Sequence, residues 1–285
     1  CSTPTQLVPT ATAEEMKPTQ TNTSANEAVL VTSIVDDSSE GSLRWALENA
    51  HDGDVIQFDP AIFSPDNPAV IYIESELPQL GSDGLVLDGS NAGVILDGSQ
   101  ITEEWVPGLW VVESSNNIIQ GVVIQNFPGA AIVLNNNASN NLIGGERGIG
   151  AAPLGQGNQL INNESGILMG GSGVSGNTIS GNVIGTDVDG VSLLGNSGMG
   201  IGVFEGAIGN MVGPDNLIAY SGADGLYVHP TVIEENVTEG NSLFGNFYKN
   251  QLMTTEEVLV PPAILDFDFA AGEASGAACQ DCVVR

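Results

Sequence analysis

The chain has 285 residues, room for one or two domains, and carries 35 Asp and Glu against 5 Lys and Arg, a formal charge of -30. So acidic a chain repels phosphate backbones, which excludes nucleic acid and leaves cations, or neutral and basic surfaces, as partners. Glycine at 37 residues, aromatics at 5% and abundant Asn point to turns and thin strands rather than helices, and no apolar run is long enough to cross a bilayer.

Residues 1–27 are Thr, Pro, Ser, Ala and Gln with almost no large apolar side chains. They cannot offset the entropy of ordering and are expected to form a disordered or extended tether. Cys1-Ser-Thr-Pro-Thr resembles the start of a mature bacterial lipoprotein, in which the terminal Cys carries lipid. The expectation is a secreted, cell-surface protein that meets the membrane only through a lipid on Cys1.

Residues 28–60 read as an N-terminal cap. Ala28-Val-Leu-Val begins the ordered chain. Ser42 is a good N-cap, and Leu43, Ala46, Leu47 and Ala50 share one helical face. Asp52-Gly53 ends that helix, and Val55-Ile-Gln-Phe follows as a strand. From residue 61 to about 250, short apolar phrases alternate with turn residues: Val70-Ile-Tyr-Ile, Val94-Ile-Leu-Asp-Gly, Leu109-Trp-Val-Val, Ala131-Ile-Val-Leu. No helix-length segment separates them, which excludes a βαβ architecture. Asn-Gly hairpin dipeptides are scarce, which argues against an antiparallel meander. Two phrases recur. Asn141-Leu-Ile-Gly-Gly returns as Asn182-Val-Ile-Gly-Thr, Asn210-Met-Val-Gly and Asn216-Leu-Ile-Ala. Gly166-Ile-Leu-Met returns as Gly200-Ile-Gly-Val and Gly225-Leu-Tyr-Val. Units too short to bury their own apolar face must stack on one another. The fold expected is all-β, a right-handed parallel β-helix with a short capping α-helix. Inward Ile, Val and Leu form its core, Asn and Gly its turns, and stacked Asn side chains its ladders. The helix places Leu43 and Leu47 over the first coil.

Ser42-Leu-Arg-Trp-Ala resembles the S-L-R-x-A motif that opens many secreted bacterial right-handed parallel β-helix repeat proteins. Asn182-Val-Ile-Gly-Thr-Asp-Val-Asp-Gly and Leu194-Gly-Asn-Ser-Gly resemble their repeat, and the likeness spans residues 28 to 250. The cap residues Ser42, Leu43, Arg44, Trp45 and Leu47 fall in this motif. The resemblance implies the architecture and no one reaction, because the fold hosts lyases, hydrolases, epimerases, adhesins and surface proteins. Residues 251–285 depart from the repeat. They read as a tail, either a lid on the last coil or the first strand of an incomplete β-sandwich module resembling those that follow such β-helices, and they give a route to self-association. Cys279 and Cys282 form a C-x-x-C without further ligands nearby; a local disulfide in an oxidising compartment is the more economical reading than a metal.

The lyases of this fold use Arg or Lys as base with Ca²⁺ held by Asp. Here only Arg147, in a Gly-rich loop, lies within the stack, since Lys17, Arg44, Lys249 and Arg285 lie outside it. The hydrolase motifs N-T-D, G-H-G and R-I-K are not intact. His229 near Glu234 and Glu235 lacks the order an epimerase site requires and reads as a loop histidine. Asp187 and Asp189 have the alternating spacing that suits Ca²⁺, but without a Glu downstream for an EF-hand they read first as turn residues and second as an ion site. The leading expectation is a non-catalytic structural or adhesive protein without a cofactor, whose partners are copies of itself or extracellular polysaccharide. The rivals are a polysaccharide lyase or glycoside hydrolase built from scattered carboxylates, and a carbohydrate-binding module using Trp105, Trp110 and Tyr227.

Overall fold

A computed structural model describes residues 28–246 and two further strands, Ala263–Asp268 and Glu273–Ala277. The tether, Cys1, Lys17, Lys249, Cys279, Cys282 and Arg285 lie outside the described residues.

Residues 28–246 wind as a right-handed parallel β-helix with three all-parallel sheets. Each coil passes from the first sheet to the second, then the third, then back to the first. Leu142–Gly144, Gln159–Ile161 and Ser165–Gly170 make one such circuit, and Thr178–Ser180 starts the next. The sheets hold eight, seven and five strands, each strand two to six residues long. Inward side chains align in rows. Ile119, Ile143, Ile179 and Val212 stack in the first sheet. Ile124, Leu160, Ile184 and Ile218 stack in the second, and Ile132, Ile167, Ile201 and Leu226 in the third. All are sealed from water. Each such side chain stabilises the fold by about 1.5–3 kcal/mol relative to exposure, so the rows hold the stack together.

The corners are held differently. Before each later strand of the first sheet stands a buried Asn, in the order Asn117, Asn141, Asn177, Asn210, Asn236. The backbone N–H of one donates to the side-chain Oδ1 of the next, at 2.9–3.0 Å. Side-chain amides continue the chain, as from Asn177 Nδ2 to Asn210 Oδ1 at 2.9 Å. Asn158, Asn182, Asn216 and Asn241 form a second ladder before the second sheet. The expected ladders are therefore present and satisfy backbone groups that have no strand partner. A third ladder before the third sheet runs from Asn163 to Asn196, then meets Ser221, and resumes at Asn246. Ser221 is 2% exposed and its hydroxyl has no hydrogen-bond partner.

The N-terminal end is closed by the helix Leu43–Asn49, which buries Leu43, Ala46 and Leu47 against Val31 and Ile56. Ser42 caps it by accepting from Trp45 N at 3.0 Å. The strand Ala28–Val31 pairs with Val55–Phe58, so the cap shares the first sheet with the coils below it. Arg44 explains the cap motif. Its guanidinium donates to both oxygens of Asp36 at 2.9 Å and to the carbonyls of Glu76 and Ser75 at 2.7 and 3.0 Å. The Asp36 side chain is 2% exposed and also accepts from Glu74 N. Later in the chain, Ala263–Asp268 and Glu273–Ala277 pair antiparallel with each other.

Substitutions at three residues test these supports. Asn177→Ala strips partners from Asn141 and Asn210 in the interior and is expected to cost about 3 kcal/mol or more, since each buried group left unpaired costs roughly 1–3 kcal/mol. Ser221→Asn restores the broken rung and is expected to gain about 1 kcal/mol, raising Tm by about 2–4 °C. Thermal unfolding that ranks the Ser221→Asn variant below the parent would remove the rung interpretation. Arg44→Ala leaves a buried carboxylate unpaired and should cost about 3–5 kcal/mol, with Arg44→Lys between it and the parent because one ammonium cannot bridge both oxygens. Urea midpoints within about 0.5 kcal/mol of the parent would show that this cluster contributes little to stability.

Candidate functional site

With core and corners committed to stability, outward positions on the sheets are free for other use. The second sheet is covered in part, with Tyr72 and Phe244 on its two edge strands left exposed. The loop 145–157 folds back across it, tied by Ala152 N to Ser90 O at 2.8 Å and Ala151 N to Asn91 Oδ1 at 3.2 Å. The cavity beneath, lined by Val94, Val122 and Leu154, is about 50 Å³, room for a few waters and no sugar ring. Arg147 sits exposed on this loop.

The third sheet presents a different surface. Its outward register places Trp110, Val133, Leu168, Gly202 and Tyr227 in one column across five strands. Trp105, 46% exposed, packs edge-on against Trp110 with ring centroids 6.2 Å apart. Trp110 is fixed from the other side by its indole N–H, which donates to Asn135 Oδ1 at 2.9 Å. At the far end Phe204 lies 5.6 Å from Tyr227, and His229 lies 6.5 Å from it. Gly202 makes room for Phe204, whose ring edge lies 2.8 Å from where a Cβ would stand. Four strand spacings, roughly 19 Å, separate the strand of Trp110 from that of Tyr227. Where the third sheet begins, Phe127, Asn162, Glu164, Gly195 and Ser197 line an open depression of about 330 Å³. Two of the three aromatic residues expected to meet sugars thus share one column, and the third packs on it. The sequence reading did not single out Phe204, Gly202, Glu164 or the depression. Only the position of Phe204 directly after Gly200-Ile-Gly-Val gave a signal.

The other candidates are placed as follows. Asp187 and Asp189 share one exposed loop. Asp187 accepts from Ser192 Oγ, and from Val191 N at 2.9 Å and Ser192 N at 3.3 Å, so its carboxylate ties the loop together. Among the described residues no three His, Cys, Asp or Glu side chains are placed to hold a metal ion. The tied loop exposes Val188, Val191 and Leu193. His229 Nδ1 pairs with Thr231 Oγ1 at 2.8 Å rather than with Glu234 or Glu235. Asp97 is buried and accepts from Ser99 N, Gln125 Nε2 and Asn126 Nδ2. Asp224, two residues before the last strand of the third sheet, has one carboxylate oxygen buried without a partner.

Neither a protein-family model nor a curated protein matches the chain. Among solved structures, an alginate lyase from Paenibacillus sp. str. FPU-7 is similar at 14% identity and a TM-score of 0.23, over 79% of this chain and 98% of that one. At that overlap nothing about activity follows for this chain.

Two carboxyls of opposite perturbation give opposite pH responses. The Ser192 hydroxyl and the Val191 N–H hold Asp187 down at about 2. Its contribution to the loop is therefore complete above the unfolded value of about 3.9 and is lost as pH falls through about 2. Burial pushes Asp224 up. Its ionised form is disfavoured in the folded state, so it costs stability increasingly as pH rises above about 3.9 and nothing below. Urea midpoints should therefore favour Asp224→Asn over the parent at pH 7 and match it near pH 3.5. Protection factors across 187–195, taken against the unstructured exchange rate at the same pH, should fall on acidification from pH 5 to pH 2, and Asp187→Ala should show the lower protection already at pH 5. An Asp224→Asn advantage that persists at pH 3.5 would mean that charge burial is not its cause.

Proposed function

We propose that this chain is a non-catalytic, adhesive parallel β-helix that holds a polysaccharide against its third sheet at the cell surface. The observation that carries the reading is the outward column running from Trp110 to Tyr227, with Trp105 and Phe204 packed at its ends. Rings fixed by packing and by the Trp110–Asn135 bond offer flat apolar faces at low entropic cost, which suits stacking on sugar rings. The non-catalytic part of the reading is supported by the engagement of three carboxylates, while Glu164 and Asp224 at the start of the third sheet are the ones the test below addresses. Asp36 is paired with Arg44, Asp97 with three donors and Asp187 with its own loop. Arg147 stands apart from the column, on the loop over the second sheet.

The cell-surface setting rests on the resemblance of Cys1-Ser-Thr-Pro-Thr to a lipoprotein start and of the cap and repeat motifs to secreted bacterial β-helix proteins. In this reading Cys1 carries lipid, Cys279 and Cys282 pair in the oxidising exterior, and no cofactor takes part.

Depletion of the protein from solution by insoluble glycans tests the function directly. The parent should bind, and Trp110→Ala or Tyr227→Ala should each weaken binding about tenfold, the equivalent of 1.4 kcal/mol. Neither reducing ends nor unsaturated products should accumulate, with or without Ca²⁺. Product release that Arg147→Ala, Glu164→Gln or Asp224→Asn abolishes would establish the enzyme reading instead. Expressed behind a lipoprotein signal peptide, the parent should partition with membranes and Cys1→Ser should not; equal partitioning would end the anchor reading.

A further inference from the structure

We infer that the third sheet selects neutral glycans and rejects anionic ones. The inference rests on the adhesive reading above and names its ligand. The first ground is the distribution of charge. The chain has no Lys or Arg between Arg147 and Lys249, nor between Arg44 and Arg147, so no strand or turn of the third sheet carries a cation. Acidic residues instead border the aromatic column. Glu103 and Glu104 precede Trp105, Glu113 follows the first strand, and Glu205 follows Phe204, all four exposed. Glu164 lines the depression where the sheet begins. A polymer of uronate or sulfate groups laid along this face sets like charges side by side without a counter-charge from the protein, a cost of selectivity rather than of fit.

The second ground is the complementarity that remains. Carboxylates and the Asn135 and Asn162 side chains accept hydrogen bonds, and sugar hydroxyls donate them. The C–H faces of pyranose rings meet Trp110, Leu168 and Tyr227. A neutral glycan supplies both kinds of contact and brings no charge to bury. The two aromatic ends, roughly 19 Å apart, also set a length requirement. A mono- or disaccharide touches one end, whereas a chain lying along the solenoid axis engages both and gains from the second as an intramolecular contact.

Affinity electrophoresis and calorimetry with soluble neutral polymers (a β-glucan, a mannan, a xylan) and with polygalacturonate and alginate test this in about 0.15 M NaCl, without divalent cations. At least one neutral polymer should bind. Its affinity should change less than twofold on raising salt to 0.5 M and fall about tenfold with Trp110→Ala, while Trp110→Phe, which keeps a ring, retains most of it. Oligosaccharides of that polymer should gain affinity with length and then plateau. The anionic polymers should not bind, and Glu113→Lys combined with Glu205→Lys should admit them. An anionic polymer bound as tightly as any neutral one, and lost with Trp110→Ala, would overturn this inference and leave the adhesive reading standing. Absence of binding by every polymer, or binding indifferent to Trp110 and Tyr227, would overturn the adhesive reading itself.

Discussion

Everything in this fold depends on corner asparagines that bond to the coil below. Strands of two to six residues cannot stand alone, and a solenoid turns its backbone sharply three times per coil. At each turn the chain leaves N–H groups that no strand can satisfy. Asn117 to Asn236 and Asn158 to Asn241 answer this with side-chain oxygens that accept from the coil above. The amide is suited because it accepts and donates at once, so one residue closes its own corner and extends the ladder. Asp cannot donate onward, and Ser cannot reach, which is why the unpartnered hydroxyl of Ser221 marks the weak corner of the stack.

This division of labour gives the outer face its meaning. The inward rows of Ile, Leu and Val and the Asn ladders carry stability, and the Arg44–Asp36 cluster locks the lid at one end. Outward residues on the sheets carry little of that load. A solenoid with acidic surfaces stays soluble with polar residues there. Trp110, Leu168, Phe204 and Tyr227 on the third sheet do the opposite and keep apolar area in water. The loop 145–157 shows the alternative, since its Ala152 and Leu154 lie over part of the second sheet beside the outward Val123. On the third sheet Trp110, Phe204 and Tyr227 are half-buried around the buried Val133, and Trp105 beside them is 46% exposed, which is the apolar surface that the adhesive reading uses.

The architecture was legible because stacking writes itself into the sequence as repetition. The Asn141 phrase and its returns name ladder positions, and the Gly166 phrase and its returns name the third sheet. What the phrase did not reveal is that Asn141 and Asn210 belong to one ladder while Asn182 and Asn216 belong to another. The four-residue corner before the first sheet carries a further signal in the sequence. It runs Ser114-Ser-Asn-Asn, Ala138-Ser-Asn-Asn, Val174-Ser-Gly-Asn and Ala207-Ile-Gly-Asn. Its third position is left-handed in these four corners, at Asn116, Asn140, Gly176 and Gly209, which favours Asn or Gly there. The site was harder to see. Trp110 and Tyr227 lie far apart in sequence, and their alignment depends on register through three intervening strands. Loops of unequal length between those strands hide that register from any fixed period.

Amide hydrogen exchange of the full chain, with and without a soluble neutral glycan, tests most directly that the third sheet is the working face. The account predicts that protection rises in the turns bordering that sheet, across 103–108, 162–165, 197–200 and 204–206, and that the loops 145–157 and 187–195 stay unchanged. Protection confined to those two loops, or spread evenly along the coils, would contradict it.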